Sequence, residues 1–220
     1  MTALHERSER AILVLGPRHS GKSVFSYLLF KSLRQMDNDS ALIECDVFGP
    51  TFRAHSIGSP EEQQFIYPAP NWHKMAADVP LGTFEGHIDL LLFSVREKGA
   101  LILDGLGKHS DKTDALLKRA RYLAIVCKDQ FGTESMTSDG YVQGGTPTHP
   151  FEFYDSRTAN NFKVTTRLED GISNVDIDNR IASVYGLSRQ AIRDGSVNGI
   201  PDHALVVIGL IAEYIIKNWS

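Results

Sequence analysis

Short apolar runs alternate along this chain with segments in which apolar residues recur every three or four positions. The runs have the length of buried β-strands, and they fall at residues 11–15, 41–45, 100–103 and 122–127. The periodic segments, residues 24–33 and 88–96, have the spacing of helices that bury one face. This alternation predicts an α/β fold in three layers, with a mainly parallel central sheet and helices on both faces.

The remaining segments give weaker signals. Residues 61–67 are predicted as a short helix or strand, residues 151–154 as a fifth strand, and residues 162–167 as a further β segment. Residues 181–193 are predicted to be helical in part. Pro201 is predicted to open a final helix whose apolar stripe docks on the sheet.

Length and composition favour a single domain over residues 1–220. Hydrophobic residues make up 42% of the chain, enough to build a full core. Residues 128–150 differ in composition from the rest of the domain, because they are polar and contain several glycines and prolines. Because long irregular stretches in compact domains are usually functional or disordered, this segment is predicted to be a long loop or a lid inserted in the domain.

A glycine-rich octapeptide lies between the first strand and the first helix. It has the pattern G-x-x-x-x-G-K-S and consists of Gly16, Pro17, Arg18, His19, Ser20, Gly21, Lys22 and Ser23. The glycines let backbone N–H groups curl around an anion, and the helix adds the positive end of its dipole. These eight residues are predicted to bind nucleotide phosphates, with Lys22 on the β- and γ-phosphates and Ser23 as a Mg²⁺ ligand.

A later strand end carries residues that complement this loop. An apolar run ends in Asp104, and Gly107 follows in an Asp-x-x-Gly pattern. Asp104 is predicted to hold Mg²⁺ from the side opposite Ser23, and Gly107 to let a backbone N–H approach the γ-phosphate. Lys108 and His109 come next, and they either face the same phosphates or are solvated loop residues.

Acidic residues also end the second strand. Glu44 and Asp46 are delivered to the carboxyl edge of the sheet, where ligands bind in open α/β folds. Asp46 is predicted to orient the attacking nucleophile, and a solvated acid at the start of a loop is the alternative for both residues. A second small-molecule or nucleotide substrate is expected beside Asp46.

Net charge, cysteine content and the apolar runs limit the partners and the cellular location that the sequence predicts. The net charge is −4 and the basic residues are scattered, so nucleic acid is not indicated. The N-terminus lacks the apolar core of a signal peptide, and residues 204–212 are too short an apolar run to span a membrane. The chain is therefore predicted to be cytoplasmic, with Cys45 and Cys127 as buried thiols. Since no Asn-Lys-x-Asp guanine signature is present, the predicted cofactors are ATP and Mg²⁺.

The phosphate loop and the apolar helix after it resemble those of a known family. The resemblance is to the P-loop domain that is joined, in some type III CRISPR loci, to a ring nuclease that degrades cyclic oligoadenylate. The family pattern is Gly-Pro-Pro-His-Ser-Gly-Lys-Ser, and the acidic end of strand two and the Asp104–Gly107 strand end follow in a similar order. The resemblance implies a prokaryotic, CRISPR-linked, ATP-binding domain of the kinase-like P-loop group, and it names no substrate.

Two classes of function fit these residues. In a P-loop ATPase or a small-molecule or nucleotide kinase, Lys22 stabilises the transferring phosphoryl group, and Asp104 holds Mg²⁺ together with the loop hydroxyl. In a nucleotide-gated interaction module, ATP orders the loop after Asp104 and switches binding to a partner or to further copies of the chain, with slow hydrolysis as the reset. No arginine stands out in the sequence as the group that completes the transition state.

Overall fold

The structure, a computed structural model, describes residues 10–36, 39–45, 57–67, 79–94, 99–128, 141–143, 146–155, 161–167, 171–192 and 195–218. The strands in these ranges are β1 (Ala11–Leu15), β2 (Ala41–Glu44), β3 (Ile66–Tyr67), β4 (Leu101–Asp104), β5 (Tyr122–Lys128), β6 (Val142–Gln143), β7 (Thr146–Pro147), β8 (Asn161–Arg167), β9 (Asn174–Asp176) and β10 (Ile181–Tyr185). The helices are α1 (Lys22–Met36), α2 (Pro60–Gln63), α3 (Leu81–Ser94), α4 (Asp111–Leu117), α5 (Pro150–Asp155) and α6 (Asp202–Lys217), with a 3₁₀ helix at Arg189–Ile192.

Strand β1 lies inside a sheet with the order β3-β2-β4-β1-β5-β8-β10-β9. Neighbouring strands pair in parallel, except that β9 runs antiparallel to β10 at one edge. The chain passes from β1 to β2 on one side and later reaches β5 on the other, so the winding reverses at β1. Open parallel sheets bind ligands at such a point, outside the carboxyl ends of the strands.

Helices cover both faces because the central strands are apolar on both sides. Ile12 and Val14 of β1 belong to the core beneath α1 and α6, and Leu13 and Leu15 belong to the core beneath α3, α4 and α5. All five residues of β1 are fully buried. The predicted three-layer α/β architecture is confirmed.

One segment was predicted with the wrong type of structure, and a second was predicted correctly only in part. Residues 151–154 belong to α5 and not to a strand. The adjacent Phe153 and Tyr154 are both buried against Tyr141, with ring centroids 5.7 and 5.8 Å from it, whereas adjacent side chains of a strand face opposite sides. Residues 181–185 form β10, in which buried and less buried side chains alternate. The helical part of that stretch is confined to the 3₁₀ helix.

The inserted segment at residues 128–150 is described only in part. Strands β6 and β7 form a two-stranded antiparallel hairpin, and Pro150 starts α5. Residues 129–140 and 144–145 lie outside the described residues, so the lid stays a prediction. Cys45 and Cys127 are buried and form no disulfide, as predicted. Within the described ranges, no helix combines the length and apolar character needed to cross a membrane.

Candidate nucleotide-binding site

The octapeptide at residues 16–23 connects the carboxyl end of β1 to α1 and depends on both of its glycines. A Cβ atom on Gly16 would lie 2.0 Å from the carbonyl oxygen of Val126 in β5, so no side chain fits there. Gly21 has φ of +86° and His19 has φ of +61°, both in the left-handed region. The backbone therefore curls back on itself before the helix begins.

Strand β8 holds the loop in this shape. The hydroxyl of Thr166 donates a hydrogen bond to the carbonyl oxygen of Ser20 at 2.6 Å, and it lies 3.2 Å from the carbonyl oxygen of Cys127. Thr166 Cγ2 and Leu187 Cβ lie 3.6 and 3.7 Å from the position that a Cβ on Gly21 would take. One side of the loop is thus packed against β8 and the segment after β10, which leaves the other side for a ligand.

Three side chains from the start of α1 converge on Asp104 at the end of β4. Ser23 Oγ donates to Asp104 Oδ2 at 2.9 Å, and Ser26 Oγ donates to Oδ1 at 2.9 Å. Lys22 Nζ lies 3.7 Å from Oδ1. Asp104 is fully buried, and a buried carboxylate is tolerated only where it is paired and hydrogen-bonded, as it is here.

A second buried carboxylate stands beside Asp104. Glu44 pairs with Asp104 in the register of the sheet, and both are fully buried. Both side chains face α1, because Leu42 and Ile102, two residues earlier on the same strands, pack in the core on that face. Asp46, the other acid predicted at this edge, lies outside the described residues.

The loop after β4 touches the phosphate loop at Gly107. A Cβ atom on Gly107 would lie 2.9 Å from Arg18 Cγ and 3.5 Å from the Arg18 backbone nitrogen. Lys108 is exposed. The ring of His109 packs edge-on against Phe153 of α5, with centroids 4.8 Å apart. His109 therefore contributes to the packing of α5, and neither of the two sequence-based interpretations describes it.

The side-chain oxygen atoms of Ser23 and Asp104 are suited to bind Mg²⁺ together with a polyphosphate. The Ser23 hydroxyl and the Asp104 carboxylate are oxygen donors 2.9 Å apart, and Mg²⁺ takes one or two protein oxygens and completes its octahedron with water and phosphate. Ser20 adds a buried hydroxyl without a hydrogen-bond partner among the described residues. In that same part of the chain, no cluster of three or more His, Cys, Asp or Glu side chains offers another metal site.

Sequence reasoning missed Ser26 and Thr166. Ser26 follows Ser23 by three positions on a helix, so the two hydroxyls share one face, and this spacing was the available signal. The contact of Thr166 with Ser20 depends on the pairing of β8 with β5. No local pattern around residue 166 reveals that pairing.

Solved structures share this fold over nearly the whole chain. The ParA family ATPase from Chlorobium tepidum TLS has a TM-score of 0.55 at 9% identity, covering 96% of this chain and 98% of that chain. The septum site-determining protein MinD from Pyrococcus horikoshii OT3, complexed with Mg-ADP, has a TM-score of 0.56 at 14% identity, covering 94% and 96%. Apo McdA from Cyanthece has a TM-score of 0.58 at 15% identity, covering 94% and 99%.

The chain has a P-loop NTPase fold. No protein-family model matches the sequence, and no curated protein matches it. The similarity to the solved ATPases is therefore one of architecture, and the chemistry of this chain has to be argued from its own site.

Proposed function

We propose that this protein binds Mg·ATP at residues 16–23 and hydrolyses it. The observation that carries the proposal is the convergence of Lys22, Ser23 and Asp104 at the carboxyl edge of β1 and β4. P-loop NTPases hold their metal with the hydroxyl that follows the loop lysine and with an aspartate from a neighbouring strand. The MinD structure with Mg-ADP, which has the same fold, supports this nucleotide class.

Each part of the site has a role in this proposal. The backbone N–H groups of residues 16–23 cradle the phosphates, and Lys22 carries positive charge to the β- and γ-phosphates. Ser23 and Asp104 would ligate Mg²⁺, which supplies charge neutralisation on the phosphate oxygens. Gly107 keeps the neighbouring loop close enough for a backbone N–H to reach the γ-phosphate.

Hydrolysis transfers the γ-phosphoryl group to water. The water oxygen forms a bond to the γ-phosphorus while the bond from that phosphorus to the bridging oxygen breaks. ADP and inorganic phosphate are released, and the proton of the water passes to a phosphate oxygen or to solvent. Asp46 is proposed to orient this water.

Kinase activity and the CRISPR link stay predictions. A kinase needs an acceptor pocket, which was expected in the segment that follows β2. Between Cys45 and α3, the structure describes only residues 57–67 and 79–80. The CRISPR link rests on the resemblance of the phosphate loop. Cytoplasmic location also stays a prediction, which the buried thiols of Cys45 and Cys127 favour.

A nucleotide-gated interaction module is the second candidate. The contact between Arg18 and Gly107 joins the phosphate loop to the loop after Asp104. A γ-phosphate bound at this junction changes the surroundings of both loops, which is how such loops sense triphosphate. A MinD from Aquifex aeolicus with the same fold is described in a complex with MinC. The proposed partner is a second protein or a second copy of this chain.

Substitution of Lys22 tests the binding proposal. Lys22→Ala removes the buried cation of the loop and is expected to weaken Mg·ATP binding at least about 100-fold, measured by calorimetry. Lys31→Ala is the matched control, because Lys31 lies on the same helix but pairs with Glu62 at 2.9 Å. Equal affinities for wild type and Lys22→Ala would contradict the proposal.

Analysis of the reaction products distinguishes an ATPase, a kinase and a nucleotide-gated interaction module. Phosphate release from ATP alone supports an ATPase. Transfer of labelled phosphate to an added nucleoside or nucleotide identifies a kinase. Tight binding of ATP with turnover that rises only with a protein partner or with protein concentration identifies the interaction module.

A further inference from the structure

Arg18 is the cationic residue at the junction of the two loops. It is the third residue of the phosphate loop, and its Cγ lies 2.9 Å from the position of a Cβ on Gly107. Its backbone nitrogen and Cα lie 3.5 and 3.7 Å from the same position. The side chain of Arg18 therefore starts directly above Gly107, in the space that the missing side chain of Gly107 leaves open.

This junction lies at the γ-phosphate end of the site. Ser23 and Asp104 would hold Mg²⁺, which in P-loop NTPases supplies charge neutralisation at the β- and γ-phosphates. Gly107 follows Asp104 by three residues on the same loop. A guanidinium that extends from above Gly107 is consequently within one side-chain length of the transferring group.

None of the contacts described so far involves the positive charge of Arg18. Lys22 is almost fully buried and lies 3.7 Å from Asp104, so that carboxylate partly compensates its charge. Arg18 is exposed, and it makes no ion pair or side-chain hydrogen bond with the described residues. A planar guanidinium can donate two parallel hydrogen bonds to phosphate oxygens, which the ammonium of a lysine cannot do.

We propose that Arg18 stabilises the charge on the γ-phosphoryl group in the transition state of hydrolysis, acting within its own chain, and that Gly107 is a positioning residue that leaves room for it. The inference rests on the proposed ATPase function. It supplies the arginine that sequence reasoning could not identify. Because the charge on the equatorial oxygens is best matched in the transition state, Arg18 contributes more to turnover than to ATP affinity.

Substitutions at Arg18 test this role. Arg18→Ala is expected to lower kcat about 10³-fold, as loss of an arginine of this type does in related chemistry, while the Kd of Mg·ATP changes less than about threefold. Arg18→Lys keeps the charge but not the bidentate geometry, and an intermediate kcat is expected. Arg189→Ala, which removes an exposed arginine from the 3₁₀ helix, is the control and should keep wild-type turnover.

A double-mutant cycle tests the positioning role of Gly107. The Cβ of Gly107→Ala displaces the Arg18 side chain, whereas the backbone of Arg18 stays at ordinary contact distance. The single variant is expected to lower kcat. The double variant with Arg18→Ala is expected to be no slower than Arg18→Ala alone, because both changes remove the same group. Additive losses would refute the positioning role.

A second measurement tests the role of Arg18 without relying on ATP turnover. Wild type is expected to bind ADP much more tightly when aluminium fluoride and Mg²⁺ are added, because the fluoride complex mimics the transferring group. Arg18→Ala is expected to lose this gain and to keep its affinity for ADP alone. Unchanged kcat and an unchanged aluminium fluoride complex overturn the assignment, and so does a loss of ATP binding as large as that of Lys22→Ala.

Mixing experiments test whether the arginine acts within one chain. A mixture of Arg18→Ala with Lys22→Ala is expected to stay inactive, because neither chain has both cations. Restored turnover in the mixture would show that Arg18 acts across a subunit boundary and would overturn the same-chain assignment. If wild type itself neither binds nor hydrolyses ATP, the proposed function fails and this inference fails with it.

Discussion

Two carboxylates lie along helix α1, and each contacts a lysine ammonium group and at least one hydroxyl group. At the start of the helix, Asp104 accepts hydrogen bonds from two serine hydroxyls and lies 3.7 Å from Lys22. Further along, Glu62 accepts hydrogen bonds from the Tyr27 hydroxyl at 2.8 Å and from Lys31 Nζ at 2.9 Å. The chemical groups are nearly the same at the two positions.

Their remaining contacts differ. Glu62 also accepts from the backbone N–H of Ser59 at 2.7 Å, within the capping box of α2, and Lys31 donates to the Gly195 carbonyl at 2.9 Å. This cluster therefore ties α1 to two other segments. Lys22, Ser23 and Ser26, which contact Asp104, come from the phosphate loop and the start of α1, so a metal ion and a nucleotide can replace them. The Asp104 cluster lies at the carboxyl edge of the sheet and can bind a ligand. The Glu62 cluster, formed with Tyr27, Lys31 and Ser59, lies away from that edge and holds segments of the fold together, so we call it a structural clamp.

The sharpest test of this difference makes the same change in both carboxylates. Asp104→Asn keeps the side-chain size but removes the charged metal ligand, and it is expected to weaken Mg·ATP binding at least about 100-fold and to abolish the dependence on Mg²⁺. Glu62→Gln is expected to change the Kd less than about twofold. Calorimetry with and without Mg²⁺ measures both.

Circular dichroism controls for folding, since Asp104→Asn leaves the buried Lys22 without its carboxylate partner. A folded Asp104→Asn protein with wild-type Mg²⁺ dependence would place the metal elsewhere. Equal losses in both variants would remove the distinction between the two clusters.

Substitution of each of the two serines that contact Asp104 is expected to have a smaller effect than Asp104→Asn, and the two effects are expected to differ. Ser23→Ala removes a proposed metal ligand, and it should raise the Mg²⁺ concentration needed for nucleotide binding about 10- to 100-fold. Ser26→Ala removes only a hydrogen bond that orients the carboxylate, and a shift of a few-fold is expected. Mg²⁺ titration of a fluorescent ATP analogue gives both values. The opposite order would assign the ligand to Ser26.

The two clusters also differ in how far sequence could predict them. The phosphate loop, its flanking strand and helix, and the aspartate at the end of β4 were predicted because each signal is local: a contiguous motif, or an apolar run that ends in an acid. The Glu62 cluster was not predicted. Its carboxylate sits in a segment predicted only as short helix or strand, and its partners Tyr27 and Lys31 lie 35 and 31 positions away.

Errors in secondary structure have a similar origin. Residues 151–154 include three aromatic side chains, a type that is common in strands, but Pro150 suits the first turn of a helix. The rings of Phe153 and Tyr154 pack against Tyr141 and His109. Residues 181–185 become a strand because β8 offers them a parallel edge. In both segments tertiary contacts outweigh a short and ambiguous local pattern.

The smallest expected effect concerns the stability supplied by Glu62. Hydrogen bonds to a charged group contribute more than neutral ones, so Glu62→Gln is expected to lower the free energy of unfolding by about 1–2 kcal/mol at pH 7, measured by urea denaturation. Glu61→Gln, which removes the same charge from the exposed neighbour, should cause a smaller change. A stability equal to wild type for Glu62→Gln would contradict the structural clamp.

The pH dependence of this difference gives a further check on the Glu62 clamp. Burial raises the pKa of Glu62, but the hydrogen bonds from its three donors outweigh burial, and the pKa lies below its ordinary value. Since the folded state favours the ionised form, its contribution is complete above the unfolded pKa of about 4.3 and is lost as pH falls from there through the lower folded pKa. The stability difference between wild type and Glu62→Gln is therefore expected to stay constant from pH 7 to about pH 5 and to shrink below about pH 4. A difference that persists unchanged in acid would mean that Glu62 stabilises α1 by packing rather than by its charge.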